Sequence, residues 1–282
     1  MLQTIEKAAQ VLNLFTPENP EWGVSQVAQK LGMPKSSAHA FLNSLAEVGL
    51  LYRFVTGRYR LGFRILMLSQ ALLHNTPWRE EAAPLMEQLR NKTGETVHLS
   101  VLAGGELVTV NKFDGNTADA AQVSQVGAVV PSHCSAHGKM LLALRPWAFV
   151  SAVLDQHGMT AYTENTIVSR DELKSELLKV RERGFAYDIE EYRAGLCCVA
   201  APVRNHNGET IVALGISLPS ERFHTNKDAL RTAVIETADA ISQRIGFDAD
   251  FSESGRYWWT SVEGRDELKP VRKVRSKRSG DE

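Results

Sequence analysis

Residues 24–61, VSQVAQKLGMPKSSAHAFLNSLAEVGLLYRFVTGRYRL, decide the fold of the N-terminal part of the chain. Val27, Ala28 and Leu31 recur at helical spacing after Ser25, an N-cap residue type, and Gly32 follows where a left-handed C′ residue is tolerated. Met33-Pro34 opens a second helix, since proline in a first turn forfeits no hydrogen bond. Its apolar face is Ala38, Phe41, Leu42, Leu45 and Val48, and Gly49 ends it. Then come Leu50-Leu51-Tyr52-Arg53, a Thr56-Gly57 turn and Arg58-Tyr59-Arg60-Leu61, an aromatic hairpin with arginines beside its tip. Helix, tight turn, helix and hairpin make a winged helix-turn-helix, which lays its second helix in the major groove of DNA. Lys35, Ser36, Ser37, His39, Ala40 and Asn43 fall on the outward side of that helix, where small, polar and basic side chains reach base edges and phosphates. Arg53, Arg58 and Arg60 belong to the wing. The plainer alternative is a two-helix unit packed on a hairpin with solvated arginines, and the charge distribution argues against it. Residues 1–75 hold seven Lys/Arg against four Asp/Glu, whereas residues 76–250 hold seventeen against twenty-three. The basic excess sits on the segment that would meet phosphate.

At 282 residues the chain exceeds one average domain, and 43% apolar residues suffice for real cores. No apolar run is long enough for a membrane span. The N-terminus reads as an amphipathic helix over residues 5–16, with Ile5, Ala8, Ala9, Leu12 and Phe15 on one side, rather than as a signal peptide. Cys134, Cys197 and Cys198 are too few and too clustered for a disulfide framework, and a reducing cytoplasm is the natural inference.

The DNA-reading domain is expected over residues 1–62, followed by a mostly apolar linker helix within 63–77 that carries Phe63, Ile65, Leu66, Leu68, Leu72 and Leu73. Too large an apolar face for one winged unit, it reads as a dimer contact. A second domain is expected over 78–249. After a helix to about Thr93, strands 96–103 and 106–113 meet at a Gly104-Gly105 turn, a strong hairpin signal. Another strand is expected near 121–126, helices at 136–143, 146–157 and 170–183, strands at 185–189, 198–204 and 210–218, and a closing helix at 227–245. Runs of strands capped by helices, without regular βαβ alternation, indicate an α+β class with one antiparallel sheet. Residues 250–282, rich in Lys and Arg with almost nothing to bury, read as a disordered basic tail.

Several separated segments, in order, now carry a resemblance: MPKSSAHAFLNSLAEVGLL (33–51), GRYRLGFRIL (57–66), VPSHCSAHGKMLLA (130–143), YTENTI (162–167), VRERGFAYDIEEYRAGLCCVAAPVRN (180–205) and ISLPSER (216–222). Over about residues 2–246 the chain resembles the IclR family of bacterial transcriptional regulators. The resemblance implies a winged helix-turn-helix joined by a helix to a GAF-like effector-binding domain. It also implies a homodimer or homotetramer on a palindromic double-stranded operator, and a small organic acid as effector. A ligand-responsive regulator, a repressor of a catabolic operon, is the expected function.

The start of the 136–143 helix can be argued independently, because unpaired N–H groups and the positive end of the helix dipole suit a carboxylate. In the family pattern the N–H groups at the positions of Ala136 and His137 hold the acid. The matching wall positions are Asp188, Cys198, Gly215 and Ser217, with Asp119, Gln122, Val130 and Leu196 further round. The chain departs from the pattern at His137, usually a small residue, and at Gly215, often a serine. A protonated His137 would add a charge-assisted hydrogen bond to the acid, so affinity would rise as pH falls from about 8 to 6. The plainer reading makes His137 a helix-start residue and Cys198 a small buried hydrophobe.

The same region offers residue types for two other chemistries. His133, Cys134, His137, Asp188, Cys197 and Cys198 include zinc-ligand types, but no CxxC pair or finger-like spacing accompanies them, so neither metal nor cofactor is expected. Cys198 with His133 or His137 has the makings of a nucleophile and base, yet no nucleophile elbow, phosphate loop or carboxylate pair supports it, and no enzyme is expected.

Overall fold

A computed structural model describes residues 2–74, 76–116 and 125–247. The chain divides into two compact units, Met1–Pro77 and Trp78–Glu282.

In the first unit α1 (Gln3–Leu12) precedes α2 (Val24–Leu31), α3 (Lys35–Glu47), a two-stranded antiparallel hairpin of β1 (Leu51–Arg53) and β2 (Tyr59–Leu61), and α4 (Arg64–His74). Helix α2 starts two residues earlier than Ser25 as an N-cap implies. Gly23 is the N-cap, and its N–H donates to the Gln26 side chain at 3.0 Å, the half of a capping box that an N3 glutamine supplies. Gly32 caps the other end in the left-handed conformation, φ 62°, and Pro34 stands at the N-cap of α3 rather than inside its first turn. The core is Val11, Phe15, Val27, Ala28, Ala38, Leu42, Leu45, Leu51 and Tyr59. Ile5 and Val48, expected on apolar faces, are exposed. Tyr59 and Trp22 exchange backbone hydrogen bonds of 2.8 and 3.0 Å, which adds a third segment to the wing. No residue of α4 is buried within this unit.

In the second unit α5 (Pro77–Thr93) leads into β3 (Thr96–Ala103) and β4 (Glu106–Phe113), joined by Gly104 and Gly105, both at positive φ. Then follow β5 (Val129–Val130), α6 (Ala136–Ala143), α7 (Trp147–His157), α8 (Arg170–Arg183), β6 (Ala186–Ile189), β7 (Leu196–Arg204), β8 (Thr210–Pro219) and α9 (Ser220–Arg244), which kinks at Asn226. The six strands form one antiparallel sheet in the order β5-β4-β3-β8-β7-β6. One face, with Val97, Leu99, Cys197, Val199, Leu214 and Ile216, packs on α5 and α9. The other, with Ala186, Cys198, Ala200 and Ala213, packs on α6, α7 and α8. This is the expected α+β architecture, and most elements begin and end within a residue or two of their expected bounds. Of the strand expected near 121–126, residues 121–124 lie outside those described, and Gln125 and Val126 are not strand. The closing helix starts earlier, at Ser220, because Phe223 buries against the sheet ahead of the kink. The basic tail also lies outside the described residues.

Candidate functional site

The DNA-facing candidates are placed by α3 and the wing. Lys35, Ser36, His39 and Ala40 are exposed, and Ser37 and Asn43 are half-buried. Ala38, Leu42 and Leu45 turn to the core, so the opposite face is free to face a groove. Asn43 donates to Glu47 one turn on, at 2.8 Å. The wing arginines differ from one another. Arg58 donates to the Glu21 carboxylate and to the Glu21 carbonyl, both at 2.9 Å, and Arg60 pairs with the other carboxylate oxygen. Arg53 is exposed and lies 5.8 Å from the Tyr59 ring centroid. Glu21 therefore already neutralises part of the wing's charge, a contact that sequence separation hides.

The effector candidates gather on the α6 side of the sheet. Antiparallel register sets Asp188 beside Cys198, Cys198 beside Ser217 and Ser217 beside Thr96 in one row across four strands. The next row holds Ala186, Ala200, Gly215 and His98. Helix α6 lies over them and is buried along its whole length. Its start is tight because Gly138 lets the Ser132 backbone approach; a Cβ there would meet the Ser132 carbonyl oxygen at 2.2 Å. Ser135 caps it, its Oγ accepting from the Gly138 N–H at 3.2 Å and its carbonyl from Lys139. The first N–H groups of a helix have no partner within it. Those of Ala136 and His137 are accordingly left without an acceptor among the described residues.

Beneath that helix start runs a polar chain. Cys198 Sγ lies 2.9 Å from Ser217 Oγ, and Ser217 Oγ lies 2.7 Å from His98 Nε2. Burial pushes the Cys198 thiol well above its ordinary range. The thiol therefore keeps its proton, and a hydrogen-bonded chain runs from Cys198 through Ser217 to His98. His98 Nδ1 is buried with no partner among the described residues. The His137 ring stacks on that of His98 at 4.1 Å between centroids, and His137 Nε2 donates to the His98 carbonyl at 3.3 Å. Asp188 Oδ1 accepts from the Glu191 N–H at 2.7 Å. Burial, reinforced by the Glu191 carboxylate, raises the Asp188 pKa to about 7. Lys139, buried at 1% exposure, pairs with Glu191 and lies 4.0 Å from Glu176.

The expectation that His137 charges between pH 8 and 6 does not hold. It is 1% exposed, and burial lowers its pKa to about 4, so it is neutral throughout that range. Val130 and Leu196 are buried, Leu196 at the outer end of β7; Asp119 and Gln122 lie outside the described residues. The weighed zinc shell is not assembled. Cys197 and Cys198 face opposite sides of the sheet, and His133 bonds the Thr160 carbonyl at 3.1 Å. A cleft of about 290 Å³ is lined by Val130, Ser132, His133, Tyr162 and Tyr192 among others, and by no residue of the polar rows. Only Val130 belongs to the expected set. His98 is the residue the sequence reading missed. Its signal was present, since Thr96, His98 and Ser100 alternate along one face of an otherwise apolar strand, and all three are buried.

Residues 4–53 match the IclR helix-turn-helix domain, and residues 70–243 match the bacterial transcriptional regulator IclR C-terminal domain. The chain is 33% identical over 251 residues to the HTH-type transcriptional regulator XynR of Escherichia coli, covering 88% of this chain and 99% of that one. The crystal structure of Thermotoga maritima IclR superposes with a TM-score of 0.65 at 30% identity, covering 88% of this chain and 100% of that one. An IclR homologue from Microbacterium hydrocarbonoxydans, complexed with 4-hydroxybenzoate, shares the fold with a TM-score of 0.74 at 23% identity, covering 86% of this chain and 98% of that one.

Proposed function

The chain belongs to the IclR family of DNA-binding transcriptional regulators, and from that premise we propose that it is a repressor released or tightened by a small organic acid. The observation that carries the effector reading is the pairing of unpartnered N–H groups at Ala136 and His137 with the polar row Asp188, Cys198 and Ser217. Donors at the helix start suit the acid group, and a protonated Asp188, a thiol and a hydroxyl suit oxygens at the ligand's other end. The relative crystallised with 4-hydroxybenzoate carries an acid and a hydroxyl of this kind.

The exposed face of α3 reads the major groove and the hairpin contacts flanking phosphate. Leu66, Met67 and Leu72 of α4 are 57%, 71% and 69% exposed, an apolar surface that pairs copies of the chain as a dimer or tetramer on a palindromic operator. A thermal-shift screen of small carboxylic acids tests the effector reading, because a ligand that binds only the folded state raises the melting temperature with its concentration. Hydroxylated acids should stabilise the protein more than their deoxy counterparts. If no acid stabilises it, the effector reading fails.

A further inference from the structure

On the sheet face opposite the polar rows, three side chains of different chemistry converge. A carboxylate oxygen of Glu190, Sγ of Cys197 and an imidazole nitrogen of His224 all lie within 4.8 Å of one another, a trio unique among the described residues. We propose that this trio binds one zinc ion, a site separate from the effector pocket that shares only Cys197 with the ligand set considered from sequence.

The local backbone favours the arrangement. Ile189 pairs with Cys197 across β6 and β7, so the residue after the strand end, Glu190, sits beside the cysteine. Glu190 has φ 54°, and it is the one described residue other than glycine with positive φ. Such a conformation is unfavourable for a residue with a Cβ and persists where its surroundings hold it. Here the Gly195 N–H donates to Glu190 Oε2 at 2.6 Å, fixing the carboxylate and leaving its second oxygen for another partner. Cys197 is fully buried, and His224 is exposed just past the first turn of α9.

The donor set selects the metal. One thiolate, one imidazole and one carboxylate are the mixed sulfur, nitrogen and oxygen ligands that suit zinc. Bonds of about 2.0–2.3 Å place tetrahedral donors about 3.3–3.8 Å apart, which the trio reaches by closing about an ångström. On binding, the Cys197 S–H bond breaks, a Zn–S bond forms and the proton leaves to solvent. Thiolate and carboxylate then balance the two positive charges, and the fourth position remains for water.

The test uses the full-length protein, stripped with a chelator and titrated with cobalt(II) and then zinc. The expected result is a thiolate-to-cobalt charge-transfer band that saturates at one equivalent per chain and disappears as zinc displaces cobalt. Cys197→Ser should abolish the band. Because that buried position affects packing, His224→Ala, an exposed change, is the decisive variant: it should fold normally and bind zinc at least about tenfold more weakly. The proposal is overturned if no charge-transfer band forms at one equivalent. It is equally overturned if the band forms but His224→Ala leaves zinc affinity unchanged, since the imidazole would then not be a ligand.

Discussion

The imidazole of His137 occupies the space that a side chain at position 215 would need: a Cβ on Gly215 would lie 2.4 Å from His137 Cε1 and 2.6 Å from its Nε2. A large residue on the helix thus faces none on the strand. Gly215→Ala should destabilise the protein by about 1–3 kcal/mol through overpacking. His137→Ala in the same chain should recover only part, because the Val199 carbonyl also stands 2.5 Å from that Cβ. Denaturant unfolding of both single variants and the double variant should give a favourable coupling of at least about 0.5 kcal/mol. Strict additivity would show that the ring does not fill this space in solution.

Asp188, not His137, should set the pH response of acid binding. With a pKa raised to about 7, Asp188 repels an incoming carboxylate above that pH and is protonated below it. Affinity for an acid found by screening should rise as pH falls from about 8 to 6. Calorimetry should show the slope vanishing in Asp188→Asn and persisting in His137→Ala. The same shift has a stability sign. A carboxyl whose folded pKa is raised costs stability as pH rises from its unfolded value to about 7, and the full cost stands above that. Asp188→Asn should therefore be more stable than wild type at pH 8, by no more than about 4 kcal/mol, and lose that advantage near pH 4. Parallel stability curves for the two proteins would refute the assignment.

Glu21 should restrain DNA binding. Its carboxylate holds both Arg58 and Arg60, so Glu21→Gln releases one positive charge at the wing. Nonspecific affinity should rise at low salt, and the slope of log K against log salt should steepen by up to about one phosphate's worth. Arg53→Ala should lower that slope by a similar amount. Arg58→Ala should change it less and lower the melting temperature instead, because Arg58 also ties the Glu21 carbonyl to the hairpin. Anisotropy titrations on random duplex at two salt concentrations separate these cases.

The α4 face should be a seam between copies. Leu66→Glu with Leu72→Glu puts charge on a surface with no buried residue of its own, so the folded unit should survive while the oligomer does not. Sedimentation should give monomers, with weaker operator binding, since a single winged unit makes too few contacts for a long site. An intact oligomer would move the seam elsewhere.

Much of this architecture is legible from local patterns. The hairpin at Gly104-Gly105 and the helix at 136–143 follow from turn chemistry and periodicity, and both form at the expected residues. What local patterns miss is contact between distant residues. Glu21 meets Arg58 from 37 residues away, and His98 reaches Ser217 from 119 away. Neither distance leaves a mark in spacing. The lowered pKa of His137 leaves no mark in spacing for the same reason, since its burial depends on strands β3 and β8, which close over it only in the folded sheet. Position 23 shows a subtler limit: a glycine with a glutamine three residues on caps α2 as well as the serine that composition favours.

The central claim is that one chain couples acid binding to DNA binding. Its most direct test is an anisotropy titration of full-length protein on duplex DNA that the protein itself selects from a random pool, with and without the acid that most raises its melting temperature. The account predicts tight, salt-sensitive binding to a palindromic sequence and an affinity changed by about fivefold or more when the acid saturates the protein. An acid that stabilises the protein yet leaves operator affinity unchanged would contradict it.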